Sequence, residues 1–265
     1  MHPILIKFFG ITIYTYGFMF ALGLGLAIYF SILTAKKENI NPDKLSDMIF
    51  WTVITGIIGA KLLLVITNPE MLKSSEAFMD ILRSGGTFYG GIVFGLPFAV
   101  WYAYRKKLPL LKISDIIAPY IALGHSLGRL GCFSAGCCYG RATNSFLGVM
   151  FKNPIAHENT GVPLYTKIYP TQLMESILNF LNFIVLLIFY RKKKYDGTVL
   201  ILYVMNYAVI RFFMEFFRGD IDRGYVFGGL SHPWTSLSIP QFISLMGFFG
   251  GLFFWLRIKK KNSKS

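Results

Sequence analysis

The chain has 265 residues, 54% of them hydrophobic and only 15% charged, with a formal net charge of +14. Soluble globular domains are nearer a quarter charged, so this composition excludes an ordinary soluble domain and points to an all-α membrane protein. Three cysteines in so long a chain supply no disulfide framework, and the excess of Lys and Arg is distributed in a way that argues against nucleic acid as a partner.

In chain order, apolar runs predict seven spans at about 11–34, 47–66, 86–104, 113–130, 170–190, 197–217 and 238–257. The first run, Phe8 to Thr34, is too long for a signal peptide and no small-residue cleavage pattern follows, so it reads as a span that stays. Basic residues then fall on alternate connections. Lys36, Lys37 and Lys44 lie on the first, Arg105, Lys106, Lys107 and Lys112 on the third, and Arg191, Lys192, Lys193 and Lys194 on the fifth. The tail carries Arg257, Lys259, Lys260, Lys261 and Lys264. These regions hold sixteen basic residues, and the opposite side holds eight: Lys7, Lys73, Arg83, Arg141, Lys152, Lys167, Arg218 and Arg223. Basic loops face the cytoplasm, which puts the N-terminus outside and the C-terminus inside. The "RKKK" run is then a topology signal at an anionic inner leaflet. The expectation is one transmembrane domain, 1–265: a seven-transmembrane-helix bundle with small extracytoplasmic loops, the larger at about 131–169. Residues 218–237, with Asp220, Asp222, Arg223, His232 and Trp234, form the second.

Three of the 27 basic residues, Lys61, Arg129 and Arg211, fall inside predicted spans. A charge at mid-bilayer costs about 3 kcal/mol on insertion scales, and such residues face a polar cavity or a partner. At 1.5 Å per residue, Lys61 lies roughly 8 Å and Arg211 roughly 9 Å from the outer ends of their spans, with Arg129 at the outer end of its own. All three belong to the outer half. Tyr14, Tyr16, Tyr89, Thr171, Gln172 and Glu175 share that depth. Arg211, Glu215 and Arg218 are spaced to share one helical face. Two readings stand. In the bland one, Arg211 and Glu215 neutralise each other while Lys61 and Arg129 snorkel to the headgroups. In the functional one, the cations line a cavity for an anion with a greasy tail, a phospholipid, whose phosphate suits the arginine fork. Glycines flank both regions: Gly85, Gly86, Gly90 and Gly91 around Tyr89, and Gly128, Gly131, Gly136 and Gly140 around the cysteines. Glycine serves close approach to a ligand or close packing of membrane helices.

At "GRLGCFSAGCCYG" a family resemblance emerges. The chain resembles the bacterial prolipoprotein diacylglyceryl transferases, whose pattern there is roughly G-R-x-G-N-F-x-N-x-E-x-W-G. "TYGFMFALG" is similar to the family's Y-G-x-M, "SGGTFYGG" to G-G-M-S-F-H-G-G, and "ISDIIAP" to V-S-D-x-I-A-P. "YPTQLMES" resembles H-P-S-Q-L-Y-E, "YAVIRFFMEFFR" resembles Y-G-x-x-R-x-x-x-E-x-x-R, and "LSIPQFISL" resembles the closing M-G-Q-x-L-S. The motifs cover nearly the whole chain, in order.

The resemblance implies a bacterial inner-membrane enzyme that moves the diacylglyceryl group of phosphatidylglycerol to the lipobox cysteine thiol of preprolipoproteins. A thioether forms and glycerol-1-phosphate leaves. It implies partners in phosphatidylglycerol, preprolipoprotein signal peptides and membrane lipids, with no cofactor. It gives Arg129 and Arg211 an electrostatic catalytic role and places Tyr89 at the family's histidine. It makes Tyr16, Lys61, Gly140, Gln172, Glu175 and Tyr207 substrate-binding positions, with Glu215 holding Arg211. Several positions depart from the pattern. The second-span arginine is Lys61, the asparagine of G-N-F is Cys132 and the glutamate is Cys137. A phenol titrating near 10 is a poor base at neutral pH, so Tyr89 is expected to position the thiol or a phosphate oxygen while water, phosphate or Glu175 takes the proton. For Cys132, Cys137 and Cys138 three readings stay open: a disulfide from Cys132 to Cys137 or Cys138, buried free thiols, or a catalytic, redox or metal role. The spacing C-x4-C-C is unconventional for zinc, so no metal is expected. The alternatives to the transferase are a divergent relative with another donor or acceptor, and a lipid or anion transporter. Transporters show internal repeats and midplane sites, and neither pattern is present here.

Overall fold

The computed structural model describes residues 2–8, 11–72, 79, 81, 86–220, 224–229 and 235–262. Lys73, Arg83, Gly85, Asp222, Arg223, His232, Trp234 and Lys264, named above, lie outside the described residues. In chain order the elements begin with β1 (Ile4–Phe8), β2 (Ile11–Tyr14), α1 (Thr15–Lys37), α2 (Pro42–Thr67), α3 (Phe88–Arg105) and α4 (Leu110–Ala135). There follow β3 (Val149–Met150), α5 (Pro154–Thr160), β4 (Lys167–Ile168), α6 (Thr171–Lys192) and α7 (Thr198–Met214). The chain closes with β5 (Tyr225–Phe227), β6 (Leu237–Ser238) and α8 (Ile239–Asn262).

Among the described residues the seven long helices occupy the seven expected places. Five stretches among the described residues are long and apolar enough to cross a membrane: α1, α2, α6, Thr198–Phe217 and Ile239–Lys260. Helices α3 and α4 are not among them. Tyrosines, glycines and Arg105 dilute α3, while Lys112, Asp115, His125, Ser126 and Arg129 dilute α4. The first span also begins later than the pattern suggests. Residues 11–14 are a strand paired with β1, and Thr15 Oγ1 donates to the His2 carbonyl where the helix begins.

The chain forms two compact units, residues 30–113 and residues 1–29 with 114–265. In the first, Pro42 and the Asn41 side chain open α2; Asn41 Oδ1 accepts the Lys44 amide at 3.0 Å. Helices α2 and α3 then approach through glycine. A Cβ on Gly90 would lie 2.4 Å from the Gly59 carbonyl oxygen, and one on Gly59 would lie 2.4 Å from Phe94 Cβ. Thr87 donates to the Ala60 carbonyl through its amide (3.0 Å) and its hydroxyl (3.2 Å). Gly86 and Gly90 therefore serve helix packing, the alternative that small residues always carry in membrane helices.

In the second unit Gly23 of α1 meets Gly124 of α4 in the same manner, with 2.9 Å left for a Cβ. Ala118, Ala122, Leu186 and Val199 form a buried cluster joining α4, α6 and α7. Helix α6 is polar inside and apolar outside. Gln172, Glu175, Ser176, Asn179 and Asn182 are buried while Ile177, Leu181, Ile184 and Ile188 are exposed. Lipid solvates the apolar face, so the bundle gathers the polar one, where each group needs a partner. Ser126 and Ser176 exchange hydroxyl-to-carbonyl bonds at 2.9 Å, and Asn206 Nδ2 donates to Asn182 Oδ1 at 2.9 Å. The 136–170 region folds as a small cap, with β3 antiparallel to β4 and a core of Phe151, Ala156, Val162 and Ile168.

Asp115, in "ISDIIAP", is fully buried. Its carboxylate accepts the amides of Gly197 (2.8 Å), Val199 (2.9 Å) and Leu200 (3.0 Å), and Lys193 Nζ at 2.8 Å. It caps the N-terminus of α7 from another helix, satisfying orphan amides and opposing the helix dipole. Lys193, one of the "RKKK" cations, thus has a structural task besides any topological one.

Candidate active site

Arg129 lies one and a half turns before the end of α4, its side chain 12% exposed, and its Nη2 is 3.0 Å from Glu175 Oε1. This is a charge contact rather than an aligned hydrogen bond. The Tyr207 hydroxyl is within electrostatic reach of the guanidinium. His125, one turn earlier on α4, packs its ring 4.9 Å from that of Tyr207 and is within electrostatic reach of Arg129, Glu175 and Arg211. Three helices therefore converge: α4 with His125 and Arg129, α6 with Gln172 and Glu175, and α7 with Tyr207 and Arg211.

Arg211 Nη2 is 2.8 Å from Glu215 Oε2, four residues on. The expected single face ends there. After Met214 the chain tightens into a 3-10 turn, Glu215–Phe217, and Arg218 takes extended angles. Arg218 instead grips Asp220 with Nε and Nη2. Both intramembrane arginines are thus held by carboxylates; the bland reading asks this of Arg211, whereas it has Arg129 reach to the headgroups. Yet Arg129 Nε and Arg211 Nη1 are buried without a hydrogen-bond partner among the described residues, and so is Gln172 Oε1. Buried donors of this kind are costly unless something accepts from them.

The signature loop is fastened to the start of α6. Gln172 Nε2 donates to the Cys137 carbonyl and Thr171 Oγ1 to the Cys138 carbonyl, each at 2.8 Å. Gly140 is wedged between Tyr169 and Phe217; an added Cβ would lie 2.3 Å from the Tyr169 oxygen and 3.0 Å from that of Phe217. Gly140→Ala is therefore expected to push apart the two segments that frame the arginines. The expected loss is about 1–3 kcal/mol of stability, typical of overpacking, with transfer falling alongside, to be read by thermal melting in detergent and by product formation.

Tyr16 opens α1 and lies within electrostatic reach of all three cysteines and of Arg129. All three thiols are free. Hydrogen bonds from Cys132 and Cys137 hold the Cys138 thiol well below the ordinary thiol range. The Arg218 and Arg129 guanidiniums add to this, against the opposing effect of burial. Hydrogen bonding to Cys132 and Cys138, and then burial, push Cys137 up.

The other two predicted site residues belong to the 30–113 unit. Lys61 Nζ donates to the Ile81 carbonyl at 2.9 Å. Tyr89 sits in the first turn of α3, half exposed. The sequence reading passed over His125, Ser126 and Asn179. Their signal was present as polar residues recurring every three or four positions on otherwise apolar helices, a pattern that marks an inward face.

Buried arginines held by buried carboxylates, in a helical protein with segments long and apolar enough to cross a membrane, define a class: an integral membrane protein with paired charges inside its helical bundle. Comparison with known proteins supplies the rest. The family model for prolipoprotein diacylglyceryl transferase matches residues 3–257. A phosphatidylglycerol–prolipoprotein diacylglyceryl transferase of Clostridium tetani is 38% identical over 254 residues, covering 96% of each chain. A second, from Clostridium perfringens, is 36% identical over all of this chain and 98% of its own; one from Clostridioides difficile is 31% identical over the same shares. The chain belongs to the prolipoprotein diacylglyceryl transferase family.

Proposed function

We propose that this protein transfers the diacylglyceryl group of phosphatidylglycerol to the lipobox cysteine thiol of preprolipoproteins. The observation that carries the reading is the family match over nearly the full chain, in relatives bearing that name. The buried Arg129–Glu175 and Arg211–Glu215 pairs supply the matching chemistry. In the reaction the acceptor sulfur forms a bond to the terminal glycerol carbon, the bond from that carbon to the phosphate oxygen breaks, and the thiol proton is lost. Glycerol-1-phosphate departs with added negative charge. Fixed cations aimed at a developing charge are worth several kcal/mol in a water-poor site. Arg129 and Arg211 take that role, with donors at Nε and Nη1 that have no hydrogen-bond partner among the described residues. Glu175 and Glu215 are positioning residues. Tyr16, Lys61, Gly140, Gln172 and Tyr207 shape the substrate site, and Tyr89 orients the thiol or a phosphate oxygen. The protein sits in the bacterial inner membrane with seven spans, its N-terminus outside, its C-terminus cytoplasmic and the 131–169 cap outside. The charge asymmetry supports that orientation.

The test is direct. The purified protein in phosphatidylglycerol vesicles, given a lipobox peptide, is expected to yield a diacylglyceryl adduct on the peptide cysteine by mass spectrometry. Absence of both adduct and released glycerol phosphate from folded protein would overturn the reading. In the same assay Tyr89→Phe is expected to slow transfer about tenfold, the worth of one hydrogen bond, and Tyr89→His to restore it. Undiminished transfer by Tyr89→Phe would leave the hydroxyl without a role.

A further inference from the structure

Cys132 lies on the last turn of α4 and is buried. The helix ends at Ala135, where Gly136 adopts φ +87°, and Cys138, a non-glycine residue, takes φ +59°. Those two left-handed residues fold the chain back, so that the three sulfurs of Cys132, Cys137 and Cys138 lie within 4.8 Å of one another. The turn is held from outside: Gln172 and Thr171 occupy the Cys137 and Cys138 carbonyls. A left-handed conformation at a non-glycine residue persists only where its surroundings enforce it. The fold thus maintains the cluster at some cost.

We propose that Cys132, Cys137 and Cys138 are a three-thiolate site for one thiophilic d10 metal ion of the zinc class, with its fourth position open to an incoming thiol.

The geometry favours this over a disulfide. A disulfide would use two of the sulfurs and leave the third idle, whereas a metal uses all three. With metal–sulfur bonds of about 2.3 Å, three thiolates on one ion stand roughly 4 Å apart, inside the observed spread. Among the described residues the set contains sulfur alone, and thiolate-only sets select zinc, Cd2+ or Cu+ over magnesium or calcium. Three thiolates on a divalent ion carry one net negative charge, and two guanidiniums lie near the cluster, Arg129 paired with Glu175 and Arg218 with Asp220. The sequence spacing matches no conventional zinc motif because the ligands meet through a helix end and a glycine turn rather than a knuckle. Three protein ligands with a vacant fourth position is the arrangement of a reactive zinc rather than a structural one. An acceptor thiol bound there gives its proton to solvent and remains as thiolate. That last role rests on the transferase reading; the metal site does not.

The test uses the full-length protein, purified anaerobically in detergent and titrated with Cd2+, read by the ultraviolet sulfur-to-cadmium charge-transfer band. It requires no phosphatidylglycerol and no turnover. One Cd2+ per chain is expected, with a band intensity of three thiolates, falling by about a third in each of Cys132→Ser, Cys137→Ser and Cys138→Ser as one ligand is lost. Thermal melting of each variant identifies any that fails to fold. A cysteine-containing lipobox peptide is expected to add a fourth thiolate's intensity, and its serine counterpart nothing. No band, a band that survives all three substitutions, or a disulfide in protein alkylated directly from cells would overturn the site. A band insensitive to the cysteine peptide would overturn the open position.

Discussion

Arg129→Ala is expected to abolish diacylglyceryl transfer, and Arg129→Lys to recover little of it. Removing one preorganised donor to a developing anion costs on the order of 100- to 1,000-fold in rate. Arg129 does more than donate: it is buried and paired at 3.0 Å with Glu175, so its orientation is fixed before substrate arrives. Lysine keeps the charge and loses the planar fork that is proposed to engage Glu175 and a phosphate together. The alanine variant also strands Glu175, fully buried, without a counter-charge, which costs about 3–5 kcal/mol. The double variant Arg129→Ala/Glu175→Gln separates the two effects. It is expected to regain most of the lost thermal stability and none of the activity. Full transfer by either variant would sink the cationic-site reading.

The largest expected effect on stability belongs to a residue remote from the chemistry. Asp115→Ala is expected to lower stability by about 3 kcal/mol or more, seen as a depressed melting temperature and poor yield of folded protein. The carboxylate ends four donors, three of them amides of the α7 first turn, with no solvent to replace it. Asp115→Asn keeps one acceptor oxygen, so its loss is expected to be smaller. The Lys193 partner sets a pH signature. Burial opposes its charge, but the hydrogen bonds to Asp115 and Asp196 outweigh it and raise its pKa above that of free lysine. A raised folded value means the contribution is complete below the ordinary lysine pKa, about 10.4, and is lost as pH rises through the raised one. The gap in melting temperature between wild type and Asp115→Ala should therefore narrow only at strongly alkaline pH. An unchanged melting temperature in Asp115→Ala would show that the cap is dispensable.

Much of the site was legible because charge is expensive in lipid. Arg129 and Arg211 stood out among apolar residues, and Glu215 followed Arg211 at the spacing of one helical turn. Arg218 did not stay on that face. Helical periodicity was carried three residues too far, past a 3-10 turn with no Gly or Pro to announce it. The first span was over-extended for a similar reason. Residues 11–14 are as apolar as the helix that follows, and only pairing with β1 makes them a strand.

Other features depend on neighbours that sequence order hides. "SGGTFYGG" marked glycines without saying whether they face a ligand or a helix, and Gly90 against Gly59 decides for the helix. "ISDIIAP" marked an aspartate, but its task is to cap a helix that begins more than eighty residues later. "RKKK" read as a topology signal, and one of its lysines proves to be that aspartate's ion-pair partner.

By itself the sequence determined that the chain is helical and membrane-bound, where its long helices lie, which family it resembles and which two arginines lie buried within its helices. These follow from local quantities: apolar run length, the cost of a charge in lipid, and ordered motifs. Only the tertiary structure decided that Glu175 holds Arg129, that α6 turns its polar face inward, and that Cys132, Cys137 and Cys138 bring their sulfurs together. Each of these requires groups far apart in the chain, or on either side of a left-handed turn, to meet at bonding distance. That distance is set by how helices pack, which residue spacing does not encode.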